Sequence, residues 1–237
     1  MTKIVAMSDT HGFHSGLTVP YGDILIHSGD WSQGHGNKYD TLRFIKWFRD
    51  LPHKYKILVP GNHDGNHFGY QSPDMNTIKD LSISELKKQN IFVLDKSISS
   101  SILEIDGLRI GGCSYIPLIN GGLNYYHEAD ITTRKYYWKL FPKVDILITH
   151  SPPKNILDMT RYGINFGCEF LRKAVLESIK PKIHFFGHVH ESRGQTEING
   201  IRFVNSCICS RMDFERDKEN NQTKMSMFIR EPMEIEL

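Results

Sequence analysis

Short apolar runs that stop abruptly at polar clusters dominate the pattern of this chain. Ile4 to Met7, Asp23 to His27 and Lys56 to Val59 read as three short buried strands, each running into a polar loop. Between the second and third, about Tyr39 to Arg49 carries a helical run, and Ser84 to Lys88 fits another, so the order is βαβ. Ile91 to Leu94, Ser101 to Ile105 and Leu108 to Cys113 continue as strands, with Asp106-Gly107 supplying a tight hairpin turn. A loop-rich stretch then runs from Ile116 to about Ala129, long enough to point to function, and a helix follows around Arg134 to Trp138. Val144 to Thr149 and Ile183 to Phe186 are strongly apolar strands, separated by a helix from Cys168 to Ile179 that ends at Pro181. Thr196 to Asn205 and Met225 to Ile229 resemble further strands around a charged loop from Glu215 to Lys224. Interleaved helices and strands predict an α/β fold, with parallel strands wherever a helix intervenes. No repeat or long linker divides the chain, so residues 1–237 are expected to form one domain.

Composition narrows the setting. No apolar run approaches the length of a membrane span, and Met1-Thr2-Lys3 is too short for the charged start of a signal peptide, so a cytoplasmic protein is expected. Net charge of +2 gives no reason to invoke nucleic acid as a partner. The locally basic segment from Lys38 to Lys56 alternates its charges with aromatics, as in Leu42-Arg43-Phe44-Ile45-Lys46-Trp47-Phe48, which fits an amphipathic helix with a solvated face. Cys113, Cys168, Cys207 and Cys209 are read as reduced, buried thiols, with Cys207 and Cys209 at alternating strand positions facing the core.

The polar clusters carry the chemistry. Asp9-Thr10-His11, Gly29-Asp30, Gly61-Asn62-His63-Asp64, His150 and Gly187-His188-Val189-His190 each sit directly behind an apolar, β-prone run. Parallel strands deliver such residues to one edge of a sheet, where open α/β folds bind ligands. Asp, His and Asn together suit Mn, Fe, Zn or Ni. In extended backbone Asp9 and His11 would point the same way, as would His188 and His190. The glycines before the ligands would let the backbone turn sharply.

The order Asp-x-His, Asp, Asn-His, His, His-x-His resembles the calcineurin-like metallophosphoesterase family. That resemblance implies a four-layer αββα sandwich of two mixed β-sheets flanked by helices. It implies two divalent transition-metal ions, manganese first, with iron, zinc or nickel as the other candidates. The first ion would take Asp9, His11 and His190, the second Asn62, His150 and His188, with Asp30 bridging. His63 would contact the substrate phosphate beside Asn62 and protonate the leaving oxygen. Asp64 would either orient His63 or serve as a structural turn residue.

Ser151-Pro152-Pro153, Ile156-Leu157-Asp158, Gly167-Cys168-Glu169, Pro181-Lys182-Ile183-His184, Gly187 to Glu191 and Phe203-Val204-Asn205-Ser206 narrow the resemblance. They are similar to the metallophosphoesterase-domain-containing, fetal-brain-protein-like branch, itself similar to class III cyclic-nucleotide phosphodiesterases. The implied activity is phosphodiester hydrolysis on a small-molecule diester or nucleotide, cyclic nucleotides included. Some relatives lack a metal ligand; this chain has all seven expected ligands and His63. The alternatives are a phosphomonoesterase or protein phosphatase, a nuclease, and a non-catalytic interaction protein. A homodimer is the ordinary prior for the assembly.

Other candidates are weaker. His27, in a strand three residues before Asp30, is expected to hydrogen-bond behind the site rather than ligate. His67 and His127 are candidates for the cleft wall, Arg161 and Arg193 for phosphate binding. His14, His35, His53 and His184 have no informative spacing.

Overall fold

The computed structural model describes residues 1–33, 37–65, 82–98, 101–119, 127–216 and 223–237. Thirteen strands and four α-helices are present among them: β1 (Lys3–Met7), β2 (Ile24–His27), α1 (Lys38–Asp50), β3 (Tyr55–Leu58), α2 (Ile83–Lys88), β4 (Ile91–Val93), β5 (Ile102–Ile105), β6 (Leu108–Cys113), α3 (Ile131–Leu140), β7 (Ile146–Thr149), α4 (Glu169–Ala174), β8 (Ile183–Phe186), β9 (Gly194–Ile198), β10 (Ile201–Asn205), β11 (Cys209–Arg216), β12 (Thr223–Ile229) and β13 (Met233–Glu236). The helix α4 continues into a π-turn over Val175–Ile179.

Five strands form one sheet in the order β13-β1-β2-β3-β4, and six form a second in the order β5-β6-β7-β8-β10-β9. The central strands of each are parallel, β1 to β4 in the first and β6, β7, β8 and β10 in the second. Antiparallel β13, β5 and β9 close the edges. Strand periodicity explains the layering. In β1, Ile4 and Ala6 join a core shared with Ile146, Ile148, Phe185 and Val204 of the other sheet. Val5 and Met7 face the opposite way, onto Phe44, Ile45 and Phe48 of α1. Likewise Leu147 and Phe186 turn outward onto α3 and α4, where Trp138, Leu171 and Val175 cover them. The result is helices, sheet, sheet, helices, the α/β architecture expected.

Helix α1 starts at Asn37, whose side chain accepts the amides of Tyr39 and Asp40, and α3 starts at Asp130, which accepts the Thr133 amide. Phe44 and Phe48 lie on the buried face of α1 and Arg43 is exposed, so the basic segment is amphipathic as read.

Three readings of the tail change. The strand expected from Thr196 to Asn205 is a hairpin, β9 and β10, turned at Asn199 (φ 54°) and Gly200 (φ 74°). Positive φ at both turn positions is the geometry that Asn-Gly favours between strands. Glu215, Arg216, Thr223 and Lys224, expected in a loop, are paired in the β11–β12 ladder. Finally β13, not anticipated, pairs with β1 and buries Ile235. His35, His67 and residues 120–126 of the Ile116 to Ala129 loop lie outside the described residues.

Candidate metal centre

Every candidate ligand sits just beyond the carboxyl end of a parallel strand: Asp9 and His11 after β1, Asp30 after β2, Asn62 after β3, His150 after β7, His188 and His190 after β8. The backbone there is not extended. Asp9 (φ 56°), His11 (φ 41°), Asp30 (φ 58°) and His188 (φ 71°) are left-handed, a region costly to side chains other than Gly and typical of functional sites. The expected same-side pairing along extended backbone is therefore replaced by kinked turns. One consequence is that His188 and His190 point into different clusters.

Two groups of donor atoms result, Asp9 with His11 and His190, and Asp30 with His150 and His188; within each the atoms lie within 4.8 Å of one another. Ring tautomers follow from the hydrogen bonds. His11 Nδ1 faces Ser32 O at 3.1 Å, His190 Nδ1 faces Ser210 O at 3.4 Å and His150 Nδ1 faces Ser28 O at 2.8 Å. A carbonyl only accepts, so each Nδ1 carries a proton and each ring turns its Nε2 inward. In the first group His11 Nε2 and His190 Nε2 then face each other at 3.2 Å, with Asp9 Oδ1 3.1 Å from the latter. In the second, His150 Nε2 lies 3.0 Å from Asn62 Oδ1, 3.2 Å from His188 Nδ1 and 3.3 Å from Asp30 Oδ2. Each group is a convergence of nitrogen and oxygen donors that could hold a cation, and mixed N/O donors suit divalent transition metals.

The electrostatics agree. Burial works against charge on His150, yet the Asp30 carboxylate overrides it and lifts the ring to about 9. His190 is likewise raised by Asp9 against burial, whereas burial keeps His188 neutral, with its value lowered to about 3. Asp9 and Asp30 are held below the usual carboxylate range despite burial, Asp9 chiefly by His190 and Asp30 chiefly by His150. The two fully buried carboxylates thus draw positive charge to both groups.

Glycines make room for this packing. A Cβ on Gly187 would lie 2.0 Å from Ser8 Oγ and 2.2 Å from Asp9 Oδ2, and one on Gly61 2.3 Å from Asp30 Oδ1. Only Gly29, at φ 103°, also needs left-handed freedom, so close approach rather than sharp turning explains the other two.

The neighbouring residues divide differently from the sequence reading. His63 is half-buried in the cleft, its ring edge-on to His11 at 5.1 Å, and its amide donates to Asp30 Oδ1 at 2.8 Å. Asp64 is fully buried and accepts the amides of Asp30 (2.6 Å), Gly61 (2.9 Å) and Ser32 (3.0 Å). Both of its oxygens are thereby engaged in stapling the loops after β2 and β3. Burial and the Asp30 charge push its carboxyl pKa up, and the Gly61 and Ser32 amides oppose them. His27 accepts the Gly29 amide at Nδ1 (3.2 Å), so its Nε2–H donates to Thr10 Oγ1 (3.1 Å), bracing the loops that hold Asp9, His11 and Asp30.

Cys207 corrects an expectation. Its thiol does not enter the apolar core but donates to Asp9 Oδ2 at 3.0 Å, and burial followed by the Asp9 charge raises its pKa and keeps it protonated. His184 was also unassigned by spacing. The Thr149 hydroxyl donates to Ser151 O (2.7 Å), so His184 Nε2–H must donate to Thr149 Oγ1 (2.8 Å), fixing the residues on either side of His150. His127 is buried against Asp95 (3.4 Å) rather than on the cleft wall. Arg193 donates to Cys207 O and Glu231 O, and Arg161 lies over the Tyr162 ring, 4.9 Å from its centroid. Neither arginine lines the cleft.

A two-sheet α/β fold that brings two N/O donor groups together beyond its parallel strands fits the metallophosphoesterase class. The chain belongs to the calcineurin-like phosphoesterase family, which matches residues 2–192. It is 32% identical over 227 residues to human metallophosphoesterase domain-containing protein 1, covering 88% of this chain and 67% of that protein. With the Caenorhabditis elegans UPF0046 protein K07C11.7 the identity is 35% over 213 residues, covering 88% and 70%. These relatives support the branch that the second-half motifs indicated. One solved structure superposes with a TM-score of 0.58 at 15% identity, covering 96% of this chain and 99% of that one, and shows the shared fold. Among the described residues no helix is long and apolar enough to cross a membrane.

Proposed function

We propose that the chain is a phosphodiesterase using two divalent metal ions, manganese first, with cyclic nucleotides among its substrates. The observation that carries this reading is the pair of donor clusters, each with a carboxylate, that line one cleft where the carboxyl ends of the parallel strands of both sheets meet. When bound, the ions would clamp the phosphoryl oxygens and acidify water toward neutral pH. Asp9, His11 and His190 would hold one ion, and Asn62, His150 and His188 the other, with Asp30 shared. The backbone carbonyls that hold Nδ1 of His11, His150 and His190 would aim Nε2 of each ring at its ion. His63, at the cleft surface outside both clusters, would contact the phosphate beside Asn62 and give an imidazole proton to the leaving ester oxygen. Asp64 would keep the Asp30 and Gly61 loops in register. The whole chain would act as one domain, as a cytoplasmic enzyme and a homodimer.

Turnover of bis-p-nitrophenyl phosphate with Mn²⁺, with and without chelator, tests the reading. Cyclic nucleotides, p-nitrophenyl phosphate, a phosphopeptide and single-stranded DNA run alongside separate it from a phosphomonoesterase, a protein phosphatase and a nuclease. Undiminished hydrolysis in both Asp30→Ala and His188→Ala would sink it.

A further inference from the structure

In front of the clusters lies a cleft of about 270 Å³, whose walls beyond the ligands include Ile119, Thr160, Phe166, Val189 and Glu191. One wall is built from residues 155–167, a segment cross-linked from within. The buried carboxylate of Asp158 accepts Asn155 N (3.0 Å), Gly167 N (2.9 Å) and Asn165 Nδ2 (2.7 Å). Backbone bonds from Thr160 N to Ile164 O (2.9 Å) and from Phe166 N to Asp158 O (3.0 Å) complete it. A Cβ on Gly167 would come within 2.6 Å of the Pro153 backbone, so the segment is also seated tightly at its base. This wall is preorganised rather than waiting to be ordered by a ligand.

Its outer side is unexpectedly apolar. Met159, Tyr162 and Ile164 are more than half exposed and Phe166 is 36% exposed, and Leu118 beside Ile119 is 37% exposed. Exposed apolar side chains are thus concentrated in this rigid segment, and of them Phe166 also lines the cleft. Charge supplies the second constraint. Among the described lining residues none is Lys or Arg, and the charged group beyond the ligand clusters is the Glu191 carboxylate.

We propose that Phe166, with Ile119 and Val189, binds an uncharged planar aromatic substituent of a phosphodiester, and that Glu191 disfavours ligands bearing a further phosphate charge. The proposal rests on the phosphodiesterase reading only for placing the phosphate at the clusters. Phe166 stacks on or edges against the ring, Ile119 and Val189 supply apolar contact, and a single negative charge is met at the metal centre. A second anionic group would meet Glu191 in a cleft whose described lining includes no Lys or Arg.

The test is calorimetric binding to the Mn²⁺-loaded protein, so it reads affinity and not turnover. Diphenyl phosphate is expected to bind about tenfold more tightly than dimethyl phosphate, which corresponds to about 1.4 kcal/mol. Dibutyl phosphate should fall between them, because it offers apolar area without a planar ring. Phe166→Ala should reduce the diphenyl-to-dimethyl ratio to about threefold or less and Phe166→Leu should give an intermediate ratio. Glu191→Gln should tighten P1,P2-diphenyl pyrophosphate about fivefold while leaving diphenyl phosphate unchanged. Equal affinities for the three phosphates in the parent protein, no measurable binding of diphenyl phosphate, dibutyl binding the tightest, or an unchanged ratio in Phe166→Ala would each overturn the aromatic subsite. An unchanged pyrophosphate affinity in Glu191→Gln would overturn the charge filter. Aryl preference without any hydrolysis would remove the phosphodiesterase reading and leave the subsite; hydrolysis without aryl preference would do the reverse.

Discussion

Gly187→Ala adds one methyl group where the carboxyl ends of β1 and β8 meet, and its cost can be worked from the contacts. The new Cβ would sit 2.0 Å from Ser8 Oγ, 2.2 Å from Asp9 Oδ2 and 2.7 Å from Ser8 Cβ, against a comfortable carbon contact of about 3.5 Å. Neither neighbour can swing away. Ser8 and Asp9 are fully buried, Ser8 Oγ donates to Gly29 O, and Asp9 Oδ2 receives both the Cys207 thiol and the His188 amide. Overpacking of this kind costs about 1–3 kcal/mol, and loosening the charged His188–Asp9 hydrogen bond adds about 1.5–3 kcal/mol if it breaks fully. Allowing for partial relaxation, we expect a loss of about 2–4 kcal/mol in urea denaturation, or about 5–15 °C in Tm for a chain of this size. The more telling readout is the metal response. Mn²⁺ at about a hundred times its Kd should stabilise the parent protein by about 2.7 kcal/mol, and Gly187→Ala should lose most of that increment because Asp9 is displaced. Gly200→Ala is the control. It has φ 74° with nothing within 4 Å of the added Cβ, so it should cost about 1–2 kcal/mol of backbone strain and keep the full metal response. A Gly187→Ala protein within about 0.5 kcal/mol of the parent, with the same Mn²⁺ increment, would refute the steric argument.

Three further outcomes are expected. His63→Ala should lower kcat on bis-p-nitrophenyl phosphate about 10²- to 10⁴-fold while the Mn²⁺-induced rise in Tm stays intact, since the side chain lies outside both donor groups; parallel loss of metal binding would contradict this. Cys207→Ala should weaken Mn²⁺ affinity about tenfold by calorimetry, and Cys207→Ser should restore most of it by replacing the donor to Asp9. Burial lowers His184 to about 3 from an unfolded value of about 6.5, so the unfolded chain binds the extra proton between those limits and stability falls as pH drops below about 6.5. His184→Gln should flatten the dependence of unfolding free energy on pH by about 1.4 kcal/mol per unit between pH 6 and 5, and an identical slope in the two proteins would show that His184 is not the titrating group.

Most of the layered fold was legible because its strands are short apolar runs and its helices carry a 3.6-residue stripe, periodicities that survive in a single sequence. Turn chemistry is legible too: Asp106 (φ 49°) and Gly107 (φ 80°) form the expected hairpin, and Asn199-Gly200 carries the same kind of signal between β9 and β10. Strand β13 carries one buried side chain, Ile235, between glutamates, so its identity comes from pairing with β1 and not from its own pattern. At the centre, residue types and order pointed to the side chains that converge there. The left-handed turns that send His188 and His190 to different clusters are set by tertiary packing and have no local signature. Cys207 and His184 were illegible for a related reason: each acts through one hydrogen bond to a residue distant in sequence, Asp9 and Thr149 respectively.

Each donor group draws on both halves of the chain, and this constrains when it can exist. Asp9 and its partner His190 are 181 positions apart, and Asp30 must wait for His150 and His188. A chain made from its amino terminus therefore presents the first-sheet ligands long before either cluster can close. The emerging segment offers Asp9, His11, Asp30 and Asn62 without the histidines of the second sheet that complete each set. Closure of either group is thus deferred until both sheets have come together, and an interrupted chain ending before His188 lacks one histidine of each group and can finish neither.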